Sequence, residues 1–272
     1  MALAQVVLEG LTFHYDAAGE GMALLFVHGH PFDRSMWRPQ LDYFSRDGFH
    51  TIAPDLRGYG ASTVRERKTT LDGFAGDLVG LLDHLDVERA VAVGLSMGGQ
   101  IVMELYRLFP QRVSALVLAD TSAPAETAQG RKFRQDMADR LEHEGMNRYA
   151  HEVLPKMVAP RNIEAQPDVA RHVLGMMLAT PPEGAAAALR GRAERPDYVK
   201  MLGQVTVPSL VVVGADDEFT PLKDALLMHE RIEGSTLVVI EGAAHMPNLE
   251  HPDEFNEALG RFLTQWFARP QT

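Results

Sequence analysis

The sequence predicts an α/β protein, a mostly parallel eight-stranded sheet with a block of helices inserted after its sixth strand. Three observations lead there. Short, nearly unbroken apolar runs alternate with stretches of helical spacing through the first 120 residues, the strand pattern vanishes from about Ser122 to Gln204, and strands resume at Ser209. Apolar runs of strand length with no polar alternation belong to strands covered on both faces, as in a parallel sheet flanked by helices. The expected division is a core domain over 1–121 and 206–272 and a helical lid over 122–205.

Taken in order, "AQVVLEG" and "LTFHYDAAGEG" form an antiparallel hairpin at the start. "ALLFV" (Ala23 to Val27) and "TIAP" (Thr51 to Pro54) are the next two strands. "TLDGFAGDLVGLLDHL" then puts Leu71, Phe74, Leu78, Leu81, Leu82 and Leu85 on one stripe of a helix that packs on the sheet. "AVAV" (Ala90 to Val93) is followed by a helix from Met97 to Phe109, stopped at Pro110, and then by the strand "ALVLA" (Ala115 to Ala119). In the insert, helical stretches are punctuated by Pro155, Pro160, Pro167, Pro181, Pro182 and Pro196. Its methionines, Met137, Met146, Met157, Met176, Met177 and Met201, either fill its interior or line an adaptable apolar pocket. "SLVVVG" (Ser209 to Gly214) and "TLVVI" (Thr236 to Ile240) complete the sheet, each followed by a helix.

Composition narrows the function. With 272 residues and 46% hydrophobic content the chain can bury a large core. A net charge of −11 with no long Lys/Arg cluster argues against a nucleic-acid partner. The start "MALAQVVLEG" lacks the basic and apolar regions of a secretory leader, and no stretch approaches a membrane span, so a cytoplasmic protein is expected. The absence of cysteine suits a reducing compartment and removes thiol catalysis.

The chemistry is carried by "GLSMGG", a serine set in a strand, tight turn and helix succession. At such a turn side chains two residues to either side of the serine would collide, and Gly94 and Gly98 relieve that collision while strain presents the Ser96 hydroxyl at the carboxyl end of the sheet. A serine hydroxyl needs a base, an acid that orients the base, and donors for an oxyanion. His245, five residues beyond a strand in a Gly/Ala loop, is the base, while its rival His251 stands before Pro252 at the entrance of the last helix. Asp216, Asp217 and Glu218 follow another strand, and spacing alone does not separate them as the acid. The oxyanion donors are the backbone N–H of Met97 and one from the loop "HGHPFDRSMW", assigned to His30. His28 and His30 have the look of a metal pair, but no third ligand follows at useful spacing, so no metal and no cofactor are expected.

On "HGHP", "APDLRGYGAS", "GLSMGG", "GADDEFTP" and "GAAHMPNLEHPDEF", all in the family's order, the chain resembles the α/β-hydrolase fold family over essentially its whole length. The resemblance implies that Asp217 is the acid and that Ser96, Asp217 and His245 form a triad, with amides of Met97 and His30 as the oxyanion hole. It implies a structural turn for "DLRGYG", with Asp55, Arg57 and Gly58 carrying no chemistry. Within the family, the lid ending "ATPPEGAAAALRGRAERPDYVKMLGQVTVP" is most like that of 3-oxoadipate enol-lactonases and small carboxylesterases, with His30 a departure on the acyl side. A serine nucleophile argues against haloalkane dehalogenase and epoxide hydrolase relatives.

The expected activity is cleavage of a small-molecule ester or lactone through an acyl-enzyme on Ser96, with Trp37 and Met246 contacting the substrate. Alternatives are a C–C bond hydrolase of ring-cleavage products, a cofactor-free perhydrolase, and a ligand-sensing relative without turnover.

Overall fold

The computed structural model describes residues 2–65 and 67–267, and among them an eight-stranded sheet runs through the middle of the molecule. Strands β1 (Ala2–Leu8) and β2 (Leu11–Ala18) form the antiparallel hairpin, and β3 (Met22–Val27) follows. A 3-10 turn over Arg34–Trp37, capped by the Asp33 side chain, leads into α1 (Arg38–Phe44). Then come β4 (Phe49–Pro54), α2 (Leu71–His84), β5 (Ala90–Leu95), α3 (Met97–Leu108) and β6 (Val113–Ala119). Six helices follow before the sheet resumes: α4 (Ala128–Glu144), α5 (Met146–Met157), α6 (Pro160–Ala165), α7 (Pro167–Ala179), α8 (Pro182–Ala193) and α9 (Val199–Leu202). The chain closes with β7 (Ser209–Gly214), α10 (Leu222–Arg231), β8 (Thr236–Ile240), α11 (Pro247–Glu250) and α12 (Pro252–Trp266).

The strand order is β1-β2-β4-β3-β5-β6-β7-β8, antiparallel for the two pairs involving β2 and parallel from β4 to β8. This order has one functional consequence. Leu95 pairs with Ala119, Ala119 with Val212, and Gly214 with Ile240, so the chain leaves four neighbouring strands at the same edge of the sheet. In open α/β folds that carboxyl edge is where ligands bind.

Alternation along each strand sends side chains to two separate clusters. Leu25 and Val27 pack with Leu78, Leu82 and Ile101 on the face covered by α2 and α3. Leu24 and Phe26 pack with Leu41, Phe44, Phe255 and Leu259 on the face covered by α1 and α12. Double coverage explains why the central strands read as uninterrupted apolar runs. The α2 stripe is the one its spacing predicts, with Leu71, Phe74, Leu78, Leu81 and Leu82 buried. By contrast α1 has no counterpart in the sequence reading, because a seven-residue helix offers only Leu41 and Phe44 as an apolar pair.

In the inserted block, Pro160, Pro167 and Pro182 each stand at the first position of a helix, where the missing N–H costs nothing. Met157, Met176 and Met177 are buried in the cluster shared with α1 and α12, and Met146 lies in a third cluster between α4 and α8. Those four methionines fill interior space.

Two of the attachments that hold the block to the rest of the chain lie at opposite ends of it. Gly184 and Gly191, two turns apart on α8, bring the helix against the backbone at Gly58 and Thr69, where a Cβ on either glycine would overlap the facing carbonyl. The Thr69 N–H donates to the Ala187 carbonyl at 3.0 Å in the same contact. At the other end the buried Glu250 carboxylate accepts from Ala159 N–H at 2.8 Å, Asn162 Nδ2 at 2.7 Å and Ala244 N–H at 2.8 Å, joining the start of α6 to the loop before α11.

Candidate active site

The link from β5 to α3 is a sharp elbow centred on Ser96, with φ 58° and ψ −115°. That conformation is strained for a residue with a side chain, and the surroundings over-determine it. The Ser96 N–H donates to the Ala119 carbonyl at 3.0 Å, and the Ser96 carbonyl accepts from Gln100 N–H at 3.2 Å and Thr121 Oγ1 at 2.6 Å. A Cβ on Gly94 would strike the Gly98 carbonyl, and a Cβ on Gly98 would strike the carbonyl of Val27 in β3. Gly98→Ala is therefore expected to destabilise the fold by more than about 2 kcal/mol, read as a lower urea midpoint. An unchanged midpoint would mean that the elbow is looser than this packing.

Asp217 lies three residues past the end of β7, 4% exposed. Its Oδ1 accepts from Phe219 N–H at 2.8 Å and Thr220 N–H at 3.2 Å, and its Oδ2 accepts from Thr220 Oγ1 at 2.6 Å. Oδ2 also meets His245 Nδ1 at 2.8 Å, in the loop after β8. Burial on its own raises the carboxyl pKa, but the His245 charge, its hydrogen bond and the donors of Thr220 and Phe219 outweigh burial and hold it below the usual range. An ionised Asp217 keeps the proton on His245 Nδ1 and leaves Nε2 free to accept one.

The neighbours of Asp217 go elsewhere. Asp216 is exposed and pairs with Arg161 at 2.6 Å, and Glu218 pairs with Lys156 at 3.1 Å. His251 caps α12 and lies 3.4 Å from Glu254.

A further carboxyl, which sequence reasoning passes over, joins the pair. Asp120 follows β6 with φ 43°, and its Oδ1 accepts from Gly214 N–H at 2.9 Å. Ligating atoms of Asp120, Asp217 and His245 lie within 4.8 Å of one another. Burial, and after it the charge of Asp217, push the Asp120 pKa well up. The signal was available in "LVLAD", a polar residue directly after an apolar strand at the sheet's carboxyl edge.

Met97 opens α3, so its N–H has no intrahelical acceptor. The loop after β3 passes close to Ser96, since a Cβ on Gly29 would sit 3.1 Å from the Ser96 Cβ, and the next amide is that of His30. The His30 ring is buried, with Nδ1 2.8 Å from the Tyr59 hydroxyl, which in turn lies 3.9 Å from Met97 Sδ. Burial first, then the charges of Arg192 and Arg134, keep the ring neutral. His28 uses both ring nitrogens on backbone groups, the Gly29 carbonyl at 2.8 Å and the Leu56 N–H at 3.0 Å. It is a structural residue of the turn, as is Asp55, which accepts from Arg34 N–H at 2.9 Å and Ala61 N–H at 2.8 Å.

Trp37 and Met246 sit in the cluster shared with α1 and α12, both fully buried. The Trp37 ring packs on Phe26 at 5.2 Å and on Phe255 at 5.9 Å between centroids, and this packing accounts for its burial. Among the described residues the Ser96 hydroxyl makes no hydrogen bond, so the structure joins Asp217 to His245 and brings Ser96 to the same sheet edge without a direct bond to the imidazole.

A family model described as the alpha/beta hydrolase fold matches residues 23–252. The chain is 32% identical over 253 residues to 3-oxoadipate enol-lactonase 2 of Acinetobacter baylyi, covering 92% of each. Among solved structures, it is similar to a thermophilic esterase from Thermogutta terrifontis with malate bound (TM-score 0.92, 35% identity, 97% of each chain). It is also similar to the enol-lactonase from Burkholderia xenovorans LB400 (TM-score 0.88, 29% identity, 96% of this chain and 100% of that one).

Proposed function

Because the chain belongs to the alpha/beta hydrolase fold family, we propose that it is a serine hydrolase that opens a small carboxylic ester or lactone through an acyl-enzyme on Ser96. The observation that carries this reading is the buried 2.8 Å bond between His245 Nδ1 and Asp217 Oδ2, at the sheet edge where the strained elbow presents Ser96. The similar enol-lactonases and esterase support the substrate class.

In this mechanism His245 Nε2 takes the Ser96 proton as Oγ bonds to the substrate carbonyl carbon. The carbonyl π pair moves to oxygen, and the amides of Met97 and His30 receive that charge. Collapse expels the alkoxide, which His245 protonates. For a lactone the leaving oxygen stays tethered to the acyl group. Water, deprotonated by the same imidazole, then releases the acid. Asp217 stays ionised and stabilises the imidazolium, and the raised pKa of Asp120 opposes a second negative charge beside it. The helices of 122–205 form the lid over this edge. The lack of cysteine fits a site of action in the cytoplasm.

The test is covalent. Incubation with a fluorophosphonate is expected to add one phosphonyl group per chain, on the peptide containing Ser96, in step with loss of 4-nitrophenyl ester hydrolysis. Full ester turnover by enzyme carrying that group, or a label located elsewhere, would overturn the reading.

A further inference from the structure

We propose that the substrate itself carries a carboxylate, recognised by Arg192 of α8 beside the first turn of α3. This rests on the ester or lactone reading above and names the chemical class of molecule within it.

Arg192 is 7% exposed, and among the described residues its one hydrogen bond is from Nε to Gln100 Oε1 at 3.1 Å. Gln100 is itself buried, and its N–H donates to the Ser96 carbonyl, so the guanidinium is held one helical turn from the elbow. Among the described residues the two terminal nitrogens have no protein acceptor. An arginine does not lose its proton in a protein, so a buried one calls for an anion.

The nearby side chains do not supply that anion. Glu126 is the carboxylate of this region, and it is shared by Arg134, at 2.5 Å, and Arg195. Three guanidiniums therefore share one carboxylate, and among the described residues Arg192 is the one of the three without an ion pair. Arg190, on the same helix, is directed away to Asp139 and Glu142. The deficit is local, since the chain as a whole carries a net charge of −11.

Placement points the same way. Gly191 seats α8 against the Thr69 backbone, which fixes the helix turn from which Arg192 projects. Arg192 is the leading charge acting on His30, Tyr59 and Tyr149, the side chains around the oxyanion loop. His30 Nε2, buried and without a hydrogen-bond partner among the described residues, is a second unsatisfied polar atom of the same group of side chains. A planar guanidinium fork with both terminal nitrogens free matches a carboxylate in bidentate geometry.

The test compares two esters of nearly the same shape, monoethyl succinate with a free carboxylate and ethyl succinamate with a neutral amide. The wild-type enzyme is expected to favour the anionic ester by at least about tenfold in kcat/KM. Arg192→Gln is expected to raise KM for monoethyl succinate by about tenfold while leaving ethyl succinamate within about twofold, and Arg192→Lys to restore part of the preference. Equal use of both esters by the wild type, or an equal loss for both in Arg192→Gln, would overturn the proposal. Binding is read separately, as the rise in Tm on adding succinate, expected for the wild type and absent in Arg192→Gln. An equal rise with inorganic phosphate would overturn the assignment to carboxylate. If neither ester is hydrolysed but succinate protects through Arg192, the hydrolase reading falls and the anion site stands.

Discussion

Ser96→Ala is expected to lower kcat/KM for ester substrates by at least about 10⁴-fold, because Ser96 is the group that takes the acyl carbon in the mechanism proposed above. Stability should hardly change. The hydroxyl makes no hydrogen bond among the described residues, and alanine has no more trouble than serine at a φ of 58°. Urea unfolding midpoints and initial rates on a 4-nitrophenyl ester measure both halves of the prediction. Residual activity above about 1% of wild type, well beyond what an oxyanion hole supplies without its nucleophile, would remove Ser96 from its role.

Asp217→Asn should cost about 10⁴-fold in kcat, whereas Asp216→Asn should stay within about threefold of wild type. An asparagine amide donating to His245 Nδ1 would leave the ring proton on Nε2, so the imidazole could no longer accept from serine. Asp216 loses only an exposed pair with Arg161, and surface pairs of that kind contribute about 0–1 kcal/mol to stability and nothing to the tautomer. Initial rates at neutral pH on one ester decide it. A larger loss in Asp216→Asn would move the acid by one position.

How much of this was visible in the sequence follows from what each element depends on. The strands were legible because coverage on both faces makes "ALLFV" and "SLVVVG" unbroken apolar runs, and the elbow was legible because Gly94 and Gly98 are demanded by a backbone crossing within five residues. The separation of Asp217 from Asp216 and Glu218 came from the resemblance. In three dimensions it rests on the Thr220 and Phe219 donors that turn one carboxylate inward. Glu250 and Arg192 were silent, since each acquires meaning only from a partner 88 or 92 residues away, Asn162 for the first and Gln100 for the second, while Asp120 showed only as a polar residue directly after an apolar strand and gains its partner, Asp217, 97 residues later. Trp37 and Met246, expected from the sequence to contact substrate, lie fully buried in the cluster shared with α1 and α12.

The two attachments of the inserted block bear on how selection takes place. On the hydrolase reading proposed above, a block fastened at Gly58 and Thr69 on one side and through Glu250 on the other offers the substrate a cavity already shaped. The same carboxylate that holds the block also holds the loop of the imidazole, because Glu250 accepts from Ala159 and Asn162 on one side and from Ala244, the residue before His245, on the other. A substitution that moves the start of α6 is therefore passed on to the loop that carries His245.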